Sequence, residues 1–329
     1  MNNLKEMLTL CKKRELEWPR RGPAYDSFKL YMDDLESQVK YVAQKNTIEV
    51  EYSKKIAKKN IFIFGSMKSG TSLLLNLLDS HENLATLPVD AHLLKHYNNG
   101  SSKQEHFDLV YSFWFRKLIS PTGREPFLIL GDNIEDYIKF TSYLYQEMME
   151  KDMRGFEAFR AATRAYIEVC NFPSDRSLIP VEKTPENEFQ YKLIKENFPN
   201  SKMIHMVRDP IINLASCKRN AINLNYNFNL LTSFRSIIMS MHTAENNSKE
   251  NEDYLCVKYE KLIKNPKDEM KNIANFLEIE YNDSLLSTTY LGEKIKSNSM
   301  YDKHYNKSEI YNRDYDLDWN ESFNEFNLE

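Results

Sequence analysis

The chain has 329 residues, 41% of them apolar and 28% charged, with a formal net charge of −4. That length allows one large α/β domain or two small ones, and the slight acidity excludes a global positive field for nucleic acid or other polyanions. Cys11, Cys170, Cys217 and Cys256 are scattered, with no C-x-x-C pair and no compact disulfide framework, so the expectation is a reduced, cytoplasmic chain without structural zinc.

The opening "MNNLKEMLTLCKKRELEWPRRGP" is too charged for a secretory h-region. Residues 1–58 read as a charged helical extension packed on the core, broken around Pro19, Gly22 and Pro23. The core begins at 59. Short apolar runs predict strands at 61–64, 83–88, 177–182, 202–207 and 254–259. Helical patterns cover 71–80, 138–151, 154–171, 187–197, 211–222, 230–249 and 267–277. Strands alternating with helices predict an α/β fold with a mostly parallel central sheet flanked by helices in three layers.

Residues 59–295 are assigned to this domain, with a helical insertion at 91–176 on its acceptor side. Within the insertion, Tyr111, Trp114 and Phe115 fall at helical spacing and read as core. Residues 296–329 are polar, acidic and tyrosine-rich, and read as a C-terminal loop or tail, or a lid. The longest apolar patches, "IFIF" and "LLLNLL", fall far short of the roughly 20 residues that span a bilayer. No transmembrane segment is expected, and the oligomeric state is not legible.

Two segments carry chemistry. In "NIFIFGSMKSGTSLLLNLLDSHENL" an apolar strand runs through a small-residue turn into a helix. Gly65 and Gly70 have the spacing of a Walker A loop, but Thr71 stands where that motif needs lysine, and the lysine is displaced to Lys68. Ser66, Lys68, Ser69, Gly70, Thr71 and Ser72 thus present backbone N–H groups, hydroxyls and one cation at a helix N-terminus, an anion site. A strand–turn–helix with incidental glycines is the plain alternative.

In "HMVRDPIINLASCKRN" a strand ends at Val207, Arg208 sits at its C-terminal edge, and Pro210 opens a helix that carries Ser216. A guanidinium fork and a hydroxyl can converge there on one phosphate. The competing reading is an Arg208–Asp209 pair capping the helix.

In this order the segments resemble the sulfotransferase superfamily, whose members use 3′-phosphoadenosine 5′-phosphosulfate (PAPS) and release 3′-phosphoadenosine 5′-phosphate (PAP). "FGSMKSGTSLLLNLLDSH" is similar to the 5′-phosphosulfate loop, "VRDPIINLAS" to the 3′-phosphate motif, and "VKYEKLIKNPKDEMKNIANFLEI" to a later Y-E-x-L…P…FL segment. The likeness covers most of residues 60–280 and is closest in motifs to the carbohydrate (heparan-type) and protein-tyrosine branches. It implies a P-loop-like fold and a PAPS-dependent enzyme.

The resemblance also implies roles. "HENLATLPVDAHLLKHY" places a general base at Asp90, where relatives usually have Glu, with His92 two residues on. "VEKTPENE" resembles E-K-[ST]-P, which gives Lys183 the task of stabilising the group in flight, while Glu182 either orients that lysine or stands as a rival base. Asn298 and Ser299 fall where relatives place a nucleotide-covering loop. The implied catalytic set is Lys68, Asp90, His92 and Lys183, with Ser66, Lys68, Ser69, Gly70, Thr71, Ser72, Arg208, Ser216, Asn298 and Ser299 on the nucleotide. The acceptor expected is a hydroxyl of a carbohydrate, glycolipid or small molecule. No metal is required, since no ligand spacing such as H-E-x-x-H occurs. Two alternatives stay open: an ATP-dependent small-molecule kinase of P-loop type, and a PAP-binding relative without catalysis.

Overall fold

A computed structural model describes residues 5–6, 23–45, 51–88, 90–92, 102–119, 128–223 and 226–294. The described parts of Met1–Ile56 and Leu87–Ser177 build one compact unit, and those of Ala57–Thr86 and Leu178–Glu329 build another.

In chain order the described helices are α1 (Pro23–Lys45), α2 (Thr71–Leu78), α3 (Lys103–Ile119), α4 (Ile134–Glu150), α5 (Phe156–Val169), α6 (Tyr191–Asn197), α7 (Pro210–Asn223), α8 (Leu230–Glu250), α9 (Tyr259–Lys264) and α10 (Pro266–Leu277). The strands used below are β1 (Ile61–Phe64), β2 (Leu84–Thr86), β3 (Ser177–Lys183), β4 (Lys202–Val207) and β5 (Tyr254–Lys258).

The first unit is helical. Met32, Leu35, Val39 and Ala43 recur at helical spacing along α1 and are buried, and α1 packs on α4. Tyr111, Trp114 and Phe115 of α3 are fully buried, which makes them core. The Tyr111 hydroxyl donates to the Glu36 carbonyl at 2.8 Å, and Arg116 reaches Asp33 and Glu36 at 2.9 and 3.0 Å. Asn133 caps α4 by accepting from the Glu135 amide at 3.2 Å, with Glu135 and Asp136 suited to the positive end of that helix.

The second unit holds the sheet. Five of its strands run parallel in the order β2–β3–β1–β4–β5. Parallel strands need crossovers and are buried on both faces, as the unbroken apolar run Ile61–Phe64 requires. Ile61, Ile63, Val181, Ile204 and Met206 face one way and join Leu73, Leu74, Leu77 and Leu78 of α2 and the apolar stripe of α10. Phe62 and Phe64 face the other way, toward Phe198, His205 and Tyr254. The five predicted strands are all present, and their boundaries agree within one or two residues.

This order fixes where a ligand belongs. The chain leaves β1 for one side of the sheet and returns to its other side at β4, so the two C-terminal ends flank the switch point where open α/β sheets bind ligands. The loop 65–70 follows β1 and Arg208 follows β4.

Candidate anion-binding site

The site begins with the turn that joins β1 to α2. Gly65 has φ +143°, and a Cβ there would lie 2.5 Å from Ser69 Oγ and 2.6 Å from the Met206 carbonyl oxygen. Gly70 has φ +106°, and its Cβ would lie 2.4 Å from Tyr259 Cδ2. Both glycines are therefore required by backbone angle and by space. Lys68 adopts a left-handed φ of 68° without being glycine, a conformation that costs about 1–3 kcal/mol and must be held by its surroundings. The Ser69 amide donates to the Ser66 carbonyl at 3.1 Å, closing the turn under it.

No side chain caps α2 at Gly70. The first amides of that helix are thus directed at the loop with their partial positive charge available to an anion. Thr71 is buried within this turn and Ser72 is exposed.

Arg208 sits against this loop. Its Nη1 donates to the Lys68 carbonyl at 3.1 Å, and its guanidinium carbon lies 4.3 Å from the Tyr259 ring centroid. Asp209 does not pair with it; its carboxylate caps α7 by accepting from the Ile211 and Ile212 amides at 2.9 and 3.0 Å. Asn213 donates to Ser66 Oγ at 2.8 Å, and the Cys217 thiol donates to the Met67 carbonyl at 3.3 Å. Burial pushes that thiol up to about 11, against the opposing pull of Lys68 and Arg208. Ser216 is half-buried on the same face of α7, three residues after Asn213.

Two buried polar atoms here lack a hydrogen-bond partner among the described residues: Ser69 Oγ and Arg208 Nε. Unsatisfied buried donors are rare and call for an explanation. Donors from a loop, a helix start and an arginine thus converge, an arrangement suited to an anion.

The end of β3 adds the E-K pair. Lys183 is buried and pairs in register with Ile63, one residue before β1 ends. Glu182 points to the opposite face, where Thr184 donates to Oε1 and Asn187 donates to Oε2 at 3.3 Å. Its carboxylate is held on both oxygens.

The structure thus brings together Ser66, Lys68, Ser69, Gly70, Thr71, Ser72, Arg208 and Ser216, with Lys183 at the same end of the sheet. Asp90 and His92 belong to the first unit; both are half-buried, and the His92 ring stands 6.3 Å from Phe113. Asn298 and Ser299 lie outside the described residues. Asn213, Tyr259 and Glu188 were not read from the sequence. The helical period that selects Ser216 also selects Asn213; nothing local marks Glu188.

Among the described residues no cluster of three or more His, Cys, Asp or Glu side chains is arranged to hold a metal. No described helix is long and apolar enough to cross a membrane.

Residues 60–283 match the sequence profile of the Sulfotransferase family. A search of curated proteins gives no match. Among solved structures, the sulfotransferase domain of the Synechococcus PCC 7002 olefin synthase is similar at 20% identity, over 75% of this chain and 83% of that one, with a TM-score of 0.49. The sulfotransferase domain of the curacin biosynthetic pathway is similar at 17% identity, over 84% and 99%, with a TM-score of 0.48. Mouse sulfotransferase SULT7A1, solved with PAP, is similar at 16% identity, over 86% and 82%, with a TM-score of 0.35.

Proposed function

Since this chain belongs to the sulfotransferase family, we propose that it moves the sulfuryl group of PAPS to a hydroxyl of an acceptor, by in-line displacement at sulfur with no metal in any step. The acceptor class proposed is a carbohydrate, glycolipid or small molecule. The observation that supports the nucleotide reading is the pair of partnerless buried atoms, Ser69 Oγ within the loop and Arg208 Nε beside it, at the start of a helix with no side-chain cap.

PAPS would supply an activated sulfuryl group and a phosphate leaving group. Ser66, Ser69, Thr71, Ser72 and the α2 N-terminus would hold its 5′ end, and Arg208 with Ser216 its 3′-phosphate. Arginine suits that task because its fork donates two parallel hydrogen bonds and its charge is permanent. Lys68 and Lys183 are proposed to stabilise the negative charge that develops on the leaving oxygen, as fixed donors do in any preorganised anion site. Neither needs a metal bridge between loop and phosphate.

The acceptor hydroxyl is a weak nucleophile near neutral pH and needs a carboxylate to take its proton. We assign that role to Asp90, with His92 beside it in sequence. Glu182 accepts hydrogen bonds on both oxygens, which suits a residue that fixes the strand end carrying Lys183 better than one that receives a substrate proton.

The test is transfer of label from ³⁵S-PAPS to a panel of hydroxyl acceptors without magnesium. Labelled product from the native protein, lost in Lys183→Ala, is the expected result. Label that stays on the nucleotide with every acceptor, despite tight PAP binding, would leave a binding protein without catalysis.

A further inference from the structure

Behind the loop lies a buried polar chain that the proposed chemistry does not use. Gly65 is held through both of its backbone groups: its N–H donates to Glu188 Oε2 at 3.3 Å, and its carbonyl accepts from the Glu186 amide at 3.4 Å. The other oxygen of Glu188 accepts from the Ser240 hydroxyl. Ser240 Oγ lies 2.9 Å from His205 Nε2, and His205 Nδ1 lies 2.6 Å from the Tyr254 hydroxyl. Glu188, Ser240 and His205 are buried to 2% exposure or less.

With Glu188 as a carboxylate, one arrangement of protons satisfies every member. The Ser240 hydroxyl must point at Glu188, so its oxygen accepts from His205 Nε2–H. Nδ1 then carries no proton and accepts from Tyr254. Burial holds His205 neutral, with its pKa pushed down to about 3, so its ring carries the single proton that this arrangement needs. The chain runs from β5 through β4 and α8 to the first residue of the loop.

A carboxylate, an imidazole and a phenol in the core are costly compared with apolar side chains of similar volume. A fully satisfied network returns rigidity and a unique geometry instead. Here that rigidity is delivered to Gly65, where β1 ends and the loop begins. The Glu186–Glu188 segment also follows Glu182, Lys183 and Thr184 within a few residues. One clamp therefore fixes both the loop and the strand end that carries Lys183.

We propose that Glu188, braced by Ser240, His205 and Tyr254, is a positioning residue that sets the loop for the 5′ end of the bound nucleotide. This rests on the nucleotide reading given above. Glu188 touches no substrate; it acts through the Gly65 amide.

The test compares two ligands by calorimetry: PAP, and adenosine 3′-phosphate, which lacks the 5′-phosphate. The variants are Glu188→Gln, Ser240→Ala and Tyr254→Phe, with thermal midpoints recorded alongside. Glu188→Gln leaves only one acceptor oxygen where two donors converge, so the hydroxyl of Ser240 must turn and the proton arrangement behind it must change. It should weaken PAP about tenfold or more while adenosine 3′-phosphate stays within about twofold. Ser240→Ala and Tyr254→Phe should shift PAP affinity the same way by smaller factors, and they carry the test if Glu188→Gln does not fold. Equal losses for both ligands, or PAP affinity unchanged across the set, would overturn the positioning role. Native protein that binds neither ligand would instead overturn the nucleotide reading beneath it.

Discussion

The guanidinium of Arg208 lies 4.3 Å above the Tyr259 ring while its Nη1 holds the Lys68 carbonyl at 3.1 Å. The same ring occupies the space where a side chain at Gly70 would go. Tyr259 therefore sets both the arginine and the loop. A cation over an aromatic face is worth about 0.5–2 kcal/mol, so Tyr259→Leu should weaken PAP by roughly 2- to 30-fold at 1.4 kcal/mol per decade. Tyr259→Phe keeps the ring and should stay within about twofold, both measured by isothermal calorimetry.

Gly70→Ala should be more severe. The new Cβ meets Tyr259 Cδ2 at 2.4 Å and the backbone must keep a φ of +106°. Strain of this kind costs about 1–3 kcal/mol, so the thermal midpoint should fall by several degrees. PAP binding should fall further than stability does, because the loop relaxes by moving away from Tyr259. An unchanged midpoint would mean that the turn tolerates a side chain there.

Lys68→Ala and Lys183→Ala address charge development. Removing one donor of a preorganised anion site costs about 10²–10³ in turnover. Each variant should lose that much in kcat with ³⁵S-PAPS, and Lys183→Ala should change PAP affinity far less than kcat. Rates within tenfold of native in both would remove these lysines from the chemistry.

The two carboxylate candidates separate by different readouts. Asp90→Asn should abolish turnover with ³⁵S-PAPS while PAP affinity stays within about twofold. Glu182→Gln should lower the midpoint, since Thr184 and Asn187 both donate to that buried carboxylate and a lost buried partner costs about 1–3 kcal/mol. Full activity in Asp90→Asn would return the base to Glu182.

Strands β1 to β5 and their order of appearance were legible because four- to six-residue apolar runs bounded by polar turns have few other uses. The loop was legible because its glycines, hydroxyls and lysine are contiguous. Arg208 was legible as the residue after a strand and before a helix-opening proline. Glu188 was not: it meets Gly65 across 123 residues of sequence, and the spacing of neither segment points to the other. Tyr259 stood inside a recognised segment, but its contact with Arg208 depends on the packing of α9 beneath the loop. The local pattern specified the elements, and only their assembly specified the network behind them.

That network predicts a pH signature. His205 has a folded pKa of about 3 against an ordinary 6.5, because burial disfavours its charged form. Between those values the unfolded chain binds more protons than the folded one, so stability rises with pH. Its contribution is complete above about 6.5 and is lost as pH falls toward 3, at up to about 1.4 kcal/mol per pH unit. Glu188 has the opposite sign: burial raises its carboxyl above 4.5, so stability falls as pH rises from that value through its folded pKa. Denaturant titrations of His205→Gln from pH 4 to 7 should show a flatter profile than native protein. Parallel profiles would remove His205 from the linkage.

The nucleotide is the centre of the account, and the most direct measurement is a thermal-shift titration with PAP and with ATP, each with and without magnesium. A ligand at 100 times its dissociation constant stabilises the fold by about 2.7 kcal/mol. The expected result is a rise in midpoint with PAP, unaffected by magnesium and absent in Arg208→Ala. A rise with ATP alone, strengthened by magnesium and indifferent to Arg208, would contradict it and point to phosphoryl transfer instead.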